Sequence, residues 1–129
     1  MERLRNHGDF VAVLRGRKKV TSRDLVVHYM VRHEMGGAVG PAVFRALGLA
    51  VSKAVGHAVV RNTVKRRFRV LARDNESLLP PQCFIVMRAK PSAANATFQN
   101  LDDQVKRCFG DIEVRYRSSA GTPIGAGGA

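Results

Sequence analysis

Apolar residues recur along this chain in two rhythms, and each change of rhythm marks an element. Within residues 3–19, after a basic turn, Phe10, Val13 and Leu14 share one side at helical spacing. Asp9 stands where a carboxylate favours the positive helix end, and Gly16 is a natural stop. From 24 to 32 the period falls to two. Leu25, Val27, Tyr29 and Val31 alternate with Val26, His28, Met30 and Arg32, which predicts a strand whose second face is mixed rather than wholly polar. Residues 34–42 contain three Gly and a Pro and predict a flexible loop. A second strand over 43–51 sets Arg45, Leu47, Leu49 and Val51 on one side and Phe44, Ala46, Gly48 and Ala50 on the other. That second side is small and flat, leaving room for a helix or a ligand to approach closely.

Helical spacing returns after a turn at 52–57, where Gly56 supplies backbone freedom. Val60, Val64, Phe68 and Leu71 form one apolar stripe and predict a helix over about 58–74, closed off by Pro80 and Pro81. Residues 83–88, CFIVMR, are a continuous apolar run of strand length and predict a central strand. After a loop at 89–94, a last helix is expected over 96–109, with Phe98, Leu101, Val105 and Phe109 on its stripe. Residues 111–116 fit either a short strand or a fraying helix end. The order α-β-β-α-β-α implies an α+β fold in which helices pack on a small, mostly antiparallel sheet in a two-layer sandwich. One domain is expected over residues 1–117, followed over 118–129 by a disordered tail rich in Gly, Ala and Ser.

Charge changes this picture from a fold to a class of partner. The 129 residues carry 22 Lys and Arg against 10 Asp and Glu, a net +12 and a pI near 11.1, which puts nucleic acid first among partners. A membrane surface is the rival. No apolar run approaches the roughly 20 residues of a span, and the opening MERLRNHGDF lacks the apolar core of a signal peptide. A cytoplasmic protein with no membrane partner is therefore expected. Cys83 and Cys108 lack ligand spacing and read as small buried hydrophobes.

The cations concentrate in residues 51–73, where Lys53, Arg61, Lys65, Arg66, Arg67, Arg69 and Arg73 occur with no acid among them. The i,i+4 ion pairs of an ordinary solvated helix cannot form there. One helix face thus docks on a core while the rest presents uncompensated charge to a polyanion; the plainer alternative is that these residues only solubilise the helix. Arg61, Lys65 and Arg69 lie along one helix edge with Asn62, Arg66 and Arg73 beside them, and guanidinium forks can take two phosphate oxygens at once. No catalytic or metal-binding constellation is expected. His7, His28, His33 and His57 fall in unlike contexts, and the acids are scattered.

Ser52-Lys53-Ala54-Val55-Gly56, followed by Ala58-Val59-Val60-Arg61-Asn62 and Lys65-Arg66, resembles the signature of the bacterial ribonuclease P protein subunit. Arg3-Leu4-Arg5 with Asp9-Phe10, Gly48-Leu49, and residues 84–91 resemble further parts of that family in the same order. Three positions depart from the pattern: Thr63 and Ala54 stand where basic residues are common, and Leu14 where an aromatic is. The resemblance implies a left-handed β-α-β crossover and a protein that assists a catalytic RNA in removing the 5′ leader of precursor tRNA. The partners implied are that RNA subunit and precursor tRNA; Mg2+ belongs to the RNA, and the protein itself binds no cofactor. It also implies that Lys53, Arg61, Asn62, Lys65, Arg66 and Arg69 face RNA. A cleft holding the single-stranded leader would be built from Phe10, Leu14, Val26, His28 and Met30, although Phe10 and Leu14 read equally well as core. A ribosomal-type RNA-binding protein and a stand-alone nuclease are the rival functions.

Overall fold

The structure is a computed structural model that describes residues 1–31 and 42–125, with side chains through Ser118. Arg32, His33 and all but the last residue of the loop expected over 34–42 lie outside the described residues, as do residues 126–129. The elements in chain order are β1 (Glu2–Arg3), α1 (His7–Arg15), β2 (Lys19–Thr21), β3 (Leu25–Val31), β4 (Phe44–Ala50), α2 (Ala58–Asp74), β5 (Gln82–Ala89) and α3 (Phe98–Gly125).

Each expected helix and strand is present, and two short strands join them. β1 and β2 hold two and three residues, too few for a period of two to register in sequence. They occupy the two edges of a five-stranded sheet ordered β1-β4-β5-β3-β2. The pairings β2 to β3 and β3 to β5 are antiparallel, whereas β1 to β4 and β4 to β5 are parallel. The sheet is therefore mixed rather than mostly antiparallel. The cause is α2, which carries the chain from β4 back to the start of its neighbour β5, as a parallel pair requires.

Helices cover both faces, so the layering is helix, sheet, helices rather than two layers. Leu25, Val27, Tyr29, Val31, Cys83, Ile85 and Met87 project to one side, where Phe68 and Leu71 of α2 and Leu101, Val105, Phe109 and Ile112 of α3 close the main core. Each large apolar side chain buried there contributes about 1.5–3 kcal/mol. The alternate residues Val26, His28, Val86, Ala46 and Gly48 project to the other side, toward α1 and its fully buried Val13.

Helix α1 starts where Asn6 Oδ1 accepts the backbone N–H groups of Gly8 and Asp9 at 2.7 and 3.3 Å, and it stops at Gly16. Residues 111–116 are helical: α3 runs on past Phe109 because Ile112 continues its buried stripe. The tail expected from Ser118 overlaps the end of this helix through Gly125. Buried polar groups fix α3 in place. Gln104 Oε1 accepts from Ser22 Oγ and from the Asp24 backbone N–H, while its Nε2 donates to Asp24 Oδ2. At the end of α2, Asn75 Nδ2 donates to Leu71 O and to Asp102 Oδ1.

Candidate nucleic-acid interface

Gly56 sets where the basic helix begins. Its φ of +154° belongs to a region open essentially to glycine, and a Cβ there would lie 2.9 Å from Val60 Cγ1. The turn can close directly onto the first turn of α2. His57 caps that helix without a side-chain hydrogen bond, so no side chain at this cap takes up the N–H groups that begin the helix.

Val64, Phe68, Leu71 and Ala72 bury one stripe of α2, and Arg61 and Lys65 lie half-buried along its flank. Lys65, Arg69 and Arg73 line a cavity of about 390 Å3 with Arg3, Leu47 and Leu49, which puts this flank against β1 and β4. Asn62, Arg66, Arg69 and Arg73 are exposed, as is Lys53 in the 3-10 turn Lys53–Val55. Arg67 belongs to the opposite flank, where Nη1 donates to Ala96 O at 3.3 Å, so this cation serves the fold. Thr63 is half-buried and donates back to Val59 O at 3.1 Å.

The cations on the β4 side lack anionic partners. Among the described residues Lys53, Arg61, Lys65, Arg66 and Arg69 form no ion pair, and Arg73 forms a single exposed one with Asp74 at 3.7 Å. Such an exposed pair is worth little. Arg61 Nε is buried with no hydrogen-bond partner in the protein, a donor left unsatisfied at a desolvation cost.

A cleft of about 500 Å3 opens on the other face of the sheet, lined by Phe10, Ala50, Val51, Ser52, Arg88 and Ala89. Ser52 precedes the Lys53–Val55 turn, so this cleft ends beside the start of α2. Of the five expected cleft residues, Phe10 forms part of the wall and Leu14 is half-buried on the same helix. Val26 and His28 are 3% and 7% exposed, which places them beneath the surface rather than on an open platform. Met30 is paired with Phe84, two residues along β3 from His28 and away from Arg88. Sequence reasoning missed Ala50, Val51, Ser52 and Arg88. Strand alternation from His28 through its neighbour β5 would have placed Arg88 on this face, had the pairing been known.

His28 lies beneath the cleft and bonds to Arg88, one of its lining residues. Its Nε2 accepts from Arg88 Nε at 3.3 Å, while Nδ1 is buried without a partner. Burial, then the positive charges of Arg88 and Lys19, hold its pKa below the usual value, so the ring is neutral. The two thiols are inert by the same logic, since burial pushes Cys83 up to about 12 and Cys108 up to about 11. Among the described residues no group of His, Cys, Asp and Glu side chains is placed to hold a metal ion, and no helix is long and apolar enough to cross a membrane.

Three comparisons meet on one family. Residues 1–113 match the family model described as Ribonuclease P. The ribonuclease P protein component of a Nocardioides species is 42% identical over 107 residues, covering 83% of this chain and 87% of that protein. The protein of the same name from Streptomyces avermitilis is 43% identical over 116 residues, covering 84% and 92%. Among solved structures, the ribonuclease P protein from Thermotoga maritima superposes with a TM-score of 0.71 at 23% identity, covering 87% of this chain and 98% of that one. With sequence relatives this close over most of its length, the chain belongs to the ribonuclease P protein component family.

Proposed function

We propose that this protein is the accessory subunit of ribonuclease P, the endonuclease that removes the 5′ leader of precursor tRNA, and that the RNA subunit performs the chemistry. The observation that carries this reading is one of adjacency. A flank of unpaired cations on α2 and a partly apolar cleft between α1 and the sheet meet at residues 50–53, in a chain of this family.

Lys53, Arg61, Lys65, Arg66, Arg69 and Arg73, with Asn62 among them, neutralise phosphates of the RNA subunit where leader meets tRNA. Displacing condensed counterions supplies the driving force. The cleft takes the leader as a single strand, with Phe10 offering a ring face to an unpaired base over a floor of Ala50 and Val51. Mature tRNA has no leader, so contacts made only to the leader favour substrate over product. Cations packed around the scissile region also take over part of the screening that magnesium otherwise provides, which lowers the metal requirement of the RNA.

Cleavage of precursor tRNA by the RNA subunit at low magnesium tests this reading. Wild-type protein should stimulate strongly, and the Arg61→Ala, Lys65→Ala double variant should lose most of the effect. Absence of stimulation with structured-RNA binding intact would favour a ribosomal-type role. Cleavage without the RNA subunit would make the protein a nuclease in its own right.

A further inference from the structure

Arg88 is the one charged side chain among the described residues that line the cleft with Phe10, Ala50 and Val51. It stands exposed on β5, registered between Ala50 of β4 and Val26 of β3. His28 is registered with Val86, two residues before Arg88 on β5. The two are therefore diagonal neighbours on the α1 side of an antiparallel pair, a separation that a long side chain can span. The bond from Arg88 Nε to His28 Nε2 at 3.3 Å closes that diagonal.

This bond holds one end of the guanidinium and leaves the other free. Among the described residues no carboxylate or carbonyl takes the N–H groups of Arg88 Nη1 and Nη2. Arg45 is different, since its nitrogens are spent on Pro80 O, Leu79 O and Glu76, and it serves the fold. His28 in turn gains little for the core. Accepting at Nε2 leaves the ring proton on Nδ1, which is buried without a partner. That unpaired atom has a desolvation cost that a valine, as at its register partner Val86, would avoid. Burial, then the charges of Arg88 and Lys19, keeps the ring neutral and so able to accept. What the ring contributes is the orientation of Arg88.

We propose that Arg88 binds a phosphate of the leader strand through Nη1 and Nη2, and that His28 is the positioning residue that holds the guanidinium for this contact. The inference rests on the leader-cleft reading and deepens it, because the ring face of Phe10 and one oriented guanidinium match the base and the phosphate of a nucleotide. A guanidinium fork can take two phosphate oxygens at once. With Nε already held, less side-chain freedom is lost when the phosphate arrives. No cation of α2 lines this cleft, so contacts of α2 with the RNA subunit and this contact with the leader are separable by mutation.

The test compares holoenzymes carrying wild-type protein, Arg88→Ala, His28→Phe, His28→Gln, and Arg88→Ala combined with His28→Phe. Affinities for precursor, mature tRNA and the RNA subunit are measured alongside the cleavage rate of bound precursor. Arg88→Ala should weaken precursor binding roughly tenfold, the scale of a lost hydrogen bond to a charged group, and leave the other quantities as in wild type. His28→Phe keeps a ring without an acceptor; it should lose most of the same affinity alone and nothing further when added to Arg88→Ala. His28→Gln restores an acceptor and should bind precursor close to wild type. Replacing leader phosphates one at a time by neutral methylphosphonates should find a linkage that weakens wild type and leaves Arg88→Ala unaffected. Unchanged precursor affinity in Arg88→Ala, or the absence of such a linkage, would overturn the phosphate contact. Equal losses from His28→Phe with and without Arg88, or a loss in His28→Gln as large as in His28→Phe, would overturn the positioning role. Equal affinity of the wild-type holoenzyme for precursor and mature tRNA would instead overturn the cleft reading on which both rest.

Discussion

The ring of Phe10 lies so close over Gly48 that a Cβ at position 48 would come within 2.7 Å of Phe10 Cδ2. The small face of β4 exists to admit this ring, and the ring in turn becomes a wall of the cleft. Gly48→Ala should displace Phe10 or strain β4, with an overpacking cost of about 1–3 kcal/mol. Urea unfolding should show the destabilisation. In the holoenzyme, precursor affinity should fall several-fold while affinity for the RNA subunit stays near wild type; equal losses in both would separate Phe10 from the leader.

Phosphate contacts by α2 should show in salt dependence. Neutralising about five phosphates on single-stranded RNA gives a slope of log K against log salt near −3.5, and removing Arg61 and Lys65 together should reduce its magnitude by about 1.4. A titration series in potassium chloride measures both. A wild-type slope near zero would mean that the cations of α2 meet no phosphate.

The turn into α2 depends on a backbone conformation that side chains rarely adopt. Gly56→Ala combines that strain with a contact of 2.9 Å to Val60, and should destabilise the protein by about 1–3 kcal/mol. Thermal melts of the two proteins check this, and an unchanged melting temperature would mean that the turn can re-form with another geometry.

His28 links stability to pH. Its folded pKa is depressed, so the unfolded chain takes up the proton first. The stability it contributes is present above the ordinary histidine value of about 6.5 and is lost as pH falls below it. Asp24 acts in the same direction at lower pH. Burial alone would raise its carboxyl pKa, but hydrogen bonds involving Ser92, Gln104 and Arg23 bring it below the ordinary value. Between pH 7.5 and 5.5, wild type should lose more unfolding free energy than a His28→Gln variant. Parallel losses would place the titrating group elsewhere.

The helices and the three longer strands were legible because each carries a sustained period: Val60 to Leu71 for α2, Leu25 to Val31 for β3, and the unbroken run 83–88 for the doubly covered β5. β1 and β2 were not legible, since two or three residues carry no period and are held by their partners Ala46, Leu47, Val26, Val27 and His28. The extension of α3 through residues 111–116 was ambiguous because Ile112 is its one fully buried apolar side chain there, with Val114 exposed. On the candidate interface, the cations of α2 could be sorted by helical spacing alone, including the separation of Arg67 from the others. The cleft could not. Its lining residues Phe10, Ala50, Ser52 and Arg88 come from α1, β4, the following turn and β5, and only strand pairing brings them together.

The most direct test of the central claim is the ratio of holoenzyme affinities for precursor and mature tRNA at low magnesium, measured with wild-type protein and with Phe10→Ala. The predicted result is a clear preference for precursor with wild type, most of which disappears in the variant while binding to the RNA subunit persists. Equal affinity of the wild-type holoenzyme for precursor and mature tRNA would contradict leader recognition by this protein.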